Sequence, residues 1–124
     1  MLTDDKSSLV RNWCLFCAGV LVLQIFALGA LPFELAEPGD TLWHVLAYAA
    51  LTLLAWIAGG GRRPLVLIVG VMALGFADEL RQGLIPGRVA SVADFLADAL
   101  AAALTGSVLF FKTRGPLCAE SSAR

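Results

Sequence analysis

Four apolar runs, each near the length a helix needs to cross a bilayer, constrain this chain more than any other feature. They cover Trp13 to Leu31, Thr41 to Ala58, Leu65 to Gln82 and Ser91 to Phe111. A helix rises about 1.5 Å per residue, so roughly 20 residues traverse the hydrocarbon layer. The chain is 59% hydrophobic and only 15% charged over 124 residues. A soluble domain of that size cannot hide so much apolar surface. The four runs use most of the sequence and leave no room for a second domain. The expected architecture is therefore all-α, a four-transmembrane-helix bundle formed by one domain over 1–124.

Breakers separate the runs. Met1 to Asn12 is polar and of mixed charge. Pro32 to Asp40 is a short acidic loop with Glu34, Glu37 and a Pro38-Gly39 turn. Gly59-Gly60-Gly61-Arg62-Arg63-Pro64 is a second break, and Leu84 to Ala90 holds a Pro86-Gly87 turn. Gly83 is placed to cap the third helix. Lys112 to Arg124 reads as a frayed polar tail. Lys6 and Arg11 precede the first run as they would in a signal peptide. That run is longer than a usual signal core, and no small-residue cleavage pattern follows before Pro32, so it is read as a retained helix. Gln24 within it is expected to face the bundle. Ala93, Ala97 and Ala101, with Ala99, Ala102, Ala103 and Gly106, allow close backbone approach and predict that the fourth helix is central.

Charge sets the orientation. With the N-terminus in the cytoplasm, Lys6, Arg11, Arg62, Arg63, Lys112, Arg114 and Arg124 all lie on that side. Only Arg81 and Arg88 lie opposite. Trp13 and Trp56 fall at the inner interface and Trp43 at the outer one, as an aromatic belt requires. The net charge is −1 with no basic stripe, so nucleic acid is excluded as a partner. Cys14 and Cys17 have C-x-x-C spacing but sit inside an apolar run without further ligands. They read as small packing residues rather than a redox or zinc pair.

The remaining polar residues converge. Asp40, His44 and Tyr48 recur at i, i+4, i+8 on the second helix, Asp78 and Gln82 at i, i+4 on the third beside Glu79, and Asp94 and Asp98 at i, i+4 on the fourth. All these stripes lie at the extracytoplasmic end, with Arg88 in the adjoining loop. A lone Asp at a helix centre costs roughly 2.5–3.5 kcal/mol on insertion scales. Such residues therefore either act or hold something. Some have structural readings. Asp40 fits an N-cap, and Ser91-Val-Ala-Asp94 fits a capping box. Asp78 and Glu79 resist this, being adjacent acids at a helix C-terminus where negative charge is unfavourable. Asp98 is too deep to cap anything. The structural alternative for these three is an ion-pair network with Arg81 and Arg88.

Asp40-Thr-Leu-Trp-His44-Val-Leu-Ala-Tyr48, Asp78-Glu79-Leu-Arg-Gln82 and Pro86-Gly87-Arg88-Val-Ala-Ser91-Val-Ala-Asp94 together resemble the VanZ-like family of small bacterial membrane proteins. The resemblance runs from residue 40 to about residue 106. Two positions depart from the family pattern: Thr41 stands where a Lys is usual, and Asp98 where an Asn is common. The resemblance implies a helical bundle in the bacterial inner membrane with an envelope-related role. It identifies no reaction.

Three functions fit these residues. The first is binding of an envelope lipid headgroup or similar anionic ligand by Asp40, His44, Asp78, Glu79, Gln82, Arg88, Asp94 and Asp98, with Arg88 as the fork for phosphate or carboxylate. The second is an accessory subunit of a larger membrane complex, the cluster serving only to lock the bundle. The third is an enzyme acting on a lipid-linked substrate, with His44 as a base oriented by Asp40. In a metal-assisted version Asp78, Glu79, Asp94 and Asp98 would suit a hard divalent ion, whereas a single His argues against zinc. No nucleophile elbow, phosphate loop or HExxH is present. We assign no catalytic residues, metal ligands or cofactor from the sequence. Membrane lipids, with a larger complex as the alternative, are the partners it implies.

Overall fold

The structure, a computed structural model, describes the backbone of residues 2–31 and 39–120 and the side chains of 5–31 and 39–114. Four helices follow in order: α1 (Leu2–Leu28), α2 (Gly39–Gly59), α3 (Pro64–Gln82) and α4 (Val92–Glu120). The Glu34–Glu37 loop and Arg124 lie outside the described residues. The polar N-terminal stretch is drawn into α1, and α4 continues past Phe111 to Glu120, so both helices exceed their apolar runs.

Three helices are long and apolar enough to cross a membrane, over Asp5–Leu28, Gly39–Gly59 and Val92–Arg114. The third expected span is shorter in its apolar part. Asp78, Glu79 and Arg81 occupy the last turns of α3. They leave Pro64 to Ala77, about 21 Å of helix against a hydrocarbon layer of about 30 Å. Exposed side chains run along every helix, among them Phe16, Leu23, Leu46, Val69, Phe76, Leu100, Leu104 and Phe111. Such apolar surface on all sides suits a lipid surround rather than water.

The turns obey local chemistry. Gly60 and Gly61 have φ of 62° and 64°, and Gly87 has φ of 88°. These are left-handed conformations that cost a side-chain-bearing residue energy. Pro64 then opens α3 at a first-turn position, where its missing N–H costs nothing. Gly83 does cap α3, but in the right-handed region (φ −62°), so it is not there for a positive φ. Its missing Cβ instead admits the Cβ of Ala90, which would stand 3.1 Å from one.

Contrary to the sequence expectation, α2 is the central helix. It packs against α1, α3 and α4, whereas α4 packs chiefly on α2 and α3. The core joins Ile25, Ala47, Tyr48, Leu51, Val71, Ala101 and Ala102. On α4 the Ala93-Ala97-Ala101 row is not the seam, since Ala93 is exposed and Ala97 half-buried. The buried residues are Asp94, Asp98, Ala99, Ala101, Ala102 and Gly106. At Gly106, Ile68 of α3 occupies the space a Cβ would need. Gln24, expected to face inward, is exposed; α1 turns Ile25, Phe26 and Gly29 to the bundle instead. Trp56 is not a belt residue either. It is buried, with Gly61 folded against its indole. Cys14 is half-buried, Cys17 is exposed, and both are free thiols.

Candidate functional site

The N-terminus of α4 organises the polar end of the bundle. The Ser91 hydroxyl accepts the Asp94 N–H at 3.2 Å, which is half of the expected capping box. The reciprocal half comes from another helix. Glu79 of α3 accepts the Ser91 N–H through Oε2 at 2.8 Å. This resolves the oddity of an acid at the end of α3. Its carboxylate is unfavourable to its own helix dipole but faces the positive end of α4. Asp94, released from the box, accepts the Thr41 hydroxyl at 2.9 Å and ties α4 to the first turn of α2. Asp40 lies within that first turn rather than ahead of it as a cap.

One turn deeper, His44 Nδ1 and Asp98 Oδ1 stand 2.9 Å apart, linking α2 to α4. The residue that orients His44 is thus Asp98 and not Asp40. Both are buried, Asp98 completely. The Tyr48 ring stacks parallel to the imidazole at 6.3 Å.

A second set of bonds faces α1. Asp78 accepts Arg81 Nη2 through Oδ1 and Gln82 Nε2 through Oδ2, each at 2.8 Å. Gln82 Oε1 in turn accepts Arg88 Nη2 at 2.8 Å. Arg88 also stands 4.0 Å from Asp40 and donates at 3.5 Å to the Leu31 carbonyl. The Arg81 guanidinium lies 4.9 Å over the Phe26 ring and directly against Gly29, where a Cβ would force it to shift. One chain of polar contacts therefore runs from α1 through α3 and the following loop to α2.

These bonds do not exhaust the carboxylates. Asp40, Asp78, Glu79, Asp94 and Asp98 face two guanidiniums and one imidazole. Among the described residues, Glu79 Oε1, Asp98 Oδ2, the Tyr48 hydroxyl and Arg81 Nε are buried without a hydrogen-bond partner. Such groups cost about 1–3 kcal/mol each, more when charged.

A cavity of about 160 Å³ opens on the α1 side. Ile25, Leu28, Gly29 and Leu31 line it from the α1 side, and Trp43 and Ala47 of α2 add further apolar surface; Asp40, His44, Tyr48, Asp78, Gln82 and Arg88 supply its polar groups. Glu79, Asp94 and Asp98 lie behind those polar groups, between α2, α3 and α4. The eight residues singled out in the sequence thus meet at one end of the bundle but divide into two groups that share His44.

Several participants left no mark in the sequence. Thr41 stood out only as a departure from a family pattern, yet it holds Asp94. Gly75 is packed against Asp98 and Tyr48, its Cβ position 3.0 Å from Asp98 Oδ2. The α1 wall gave no signal, because its residues look like any other apolar residues in a span. Comparison of the chain with protein-family models, with curated proteins and with solved structures finds no match.

Proposed function

We propose that this chain is a VanZ-like multi-pass protein of the bacterial inner membrane, with both termini cytoplasmic and its polar end extracytoplasmic. In this reading all four helices cross the bilayer, and the cavity takes the headgroup of an envelope lipid. The observation that carries it is the mixed apolar and polar lining of the cavity. Apolar residues of the α1 side, joined by Trp43 and Ala47 of α2, meet polar side chains of α2, α3 and the loop after it, which suits the neck of an amphiphile. About 160 Å³ is well below the roughly 300–1,000 Å³ of sites that enclose a whole ligand, so the acyl chains would remain along the exposed helix faces. Arg88 is the phosphate contact, because a guanidinium forks onto such oxygens. Asp40 on the same wall favours a headgroup that also carries an ammonium.

The test is lipid retention. Wild type and Arg88→Gln are extracted from membranes of mixed phosphatidylethanolamine, phosphatidylglycerol and cardiolipin, and bound lipid is read by native mass spectrometry. The expected result is a retained phosphatidylethanolamine that Arg88→Gln loses by at least about tenfold, the loss of one charge-assisted contact. Helicity should be unchanged. Equal retention by a folded Arg88→Gln, or no retained lipid in wild type, would refute the reading.

A further inference from the structure

We infer that His44, Glu79 and Asp98 form a site for one divalent first-row transition-metal ion behind the polar lining of the cavity. One ligand atom from each of the three lies within 4.8 Å of the other two. The residues come from α2, α3 and α4, and each is at least nine-tenths buried, at 5%, 5% and 0% exposure.

The second observation concerns how each carboxylate is held. Glu79 is fixed through Oε2 by the Ser91 N–H, and Asp98 through Oδ1 by His44. The other oxygen of each, Oε1 and Oδ2, is buried and has no partner among the described residues. One oxygen orients the group and the other is left to bind, which is how outer partners set metal ligands. Space is kept for it: a Cβ at Gly75 would stand 3.0 Å from Asp98 Oδ2 and 3.3 Å from the Tyr48 ring. A divalent charge also offsets the surplus of acids over guanidiniums in this end of the bundle. Asp78 takes no part, because Arg81 and Gln82 hold both its oxygens.

The donor set selects the ion. Two carboxylates and one imidazole are harder than the four N or S ligands of structural zinc, and the imidazole favours a transition ion over Ca²⁺ or Mg²⁺. Mn²⁺ is the natural probe. Asp40, His44 and Asp94 form a second group of the same closeness, one turn nearer the helix ends. Asp40 is only half-buried there, so the shared His44 connects the inner site to the membrane face.

The experiment uses the full chain in detergent, stripped with chelator and titrated with Mn²⁺, free Mn²⁺ being read by electron paramagnetic resonance. Wild type is expected to bind one equivalent, and its thermal midpoint to rise with Mn²⁺. Glu79→Gln keeps an acceptor for the Ser91 N–H but replaces the unpartnered oxygen, and Asp98→Asn does the same beside His44. Each should lose Mn²⁺ affinity by at least about tenfold and lose the midpoint shift. Gly75→Ala, which alters no ligand, should weaken binding too. Arg88→Gln should bind as wild type, which separates this site from the lipid reading. No saturable binding by wild type, or unchanged binding by Glu79→Gln and Asp98→Asn, would overturn the inference.

Discussion

Glu79→Ala should unfasten the N-terminus of α4, and Asp94→Ala should not. A capping box within α4 would have Asp94 accept the Ser91 N–H; in the structure Glu79 accepts it at 2.8 Å. Hydrogen bonds to charged groups contribute about 1.5–3 kcal/mol, and neutral ones about 0.5–1.5. Glu79→Gln retains a neutral acceptor and removes the surplus charge. Glu79→Ala removes the acceptor as well and leaves the half-buried Ser91 N–H unsatisfied. Glu79→Ala is therefore expected to be about 1–2 kcal/mol less stable than Glu79→Gln, a factor of about 5–30 in the folded population. Asp94→Ala loses the Thr41 bond to its carboxylate, about 1.5–3 kcal/mol, but keeps Ser91 protected. The assay pairs denaturant unfolding in micelles with amide exchange at Ser91, both in chelator-treated protein. Ser91 protection lost in Asp94→Ala and kept in Glu79→Ala would refute the cross-helix cap.

Two further outcomes follow from the same geometry. Gly29→Val should push Arg81 off both Phe26 and Asp78 and destabilise the bundle by about 1–3 kcal/mol, the usual range for overpacking; a change below about 0.5 kcal/mol in micelle unfolding would contradict that contact. Leu84→Cys, at a position 84% exposed in the loop after α3, should react with a membrane-impermeant maleimide added outside intact cells; labelling only after lysis would reverse the proposed orientation.

Helix number and the grouping of the acids were legible because both follow from local rules. Long apolar runs cut by Gly and Pro define helices whatever they pack against. Spacing of four residues places Asp94 with Asp98, and Asp78 with Gln82, on one face. The Ser91 cap was legible for the same reason, since the N–H that its hydroxyl accepts lies three residues away. Ambiguity began wherever a partner had to come from elsewhere in the chain. Thr41 could not be matched to Asp94, nor Gly75 to Asp98, because nothing in either segment encodes the distance between helices.

The sequence by itself determined a helical membrane bundle with a cluster of acids, His44 and Arg88 at one end, since burial in lipid and helical periodicity act within each segment. Tertiary packing alone decided which helix is central, which face of α4 is the seam, and which carboxylate serves which donor. Asp98 rather than Asp40 holds His44, and Glu79 rather than Asp94 closes the cap on α4. The physical reason is that several acids of similar chemistry compete for few donors. The choice among them turns on ångström-scale separations that only the crossing of α2, α3 and α4 sets.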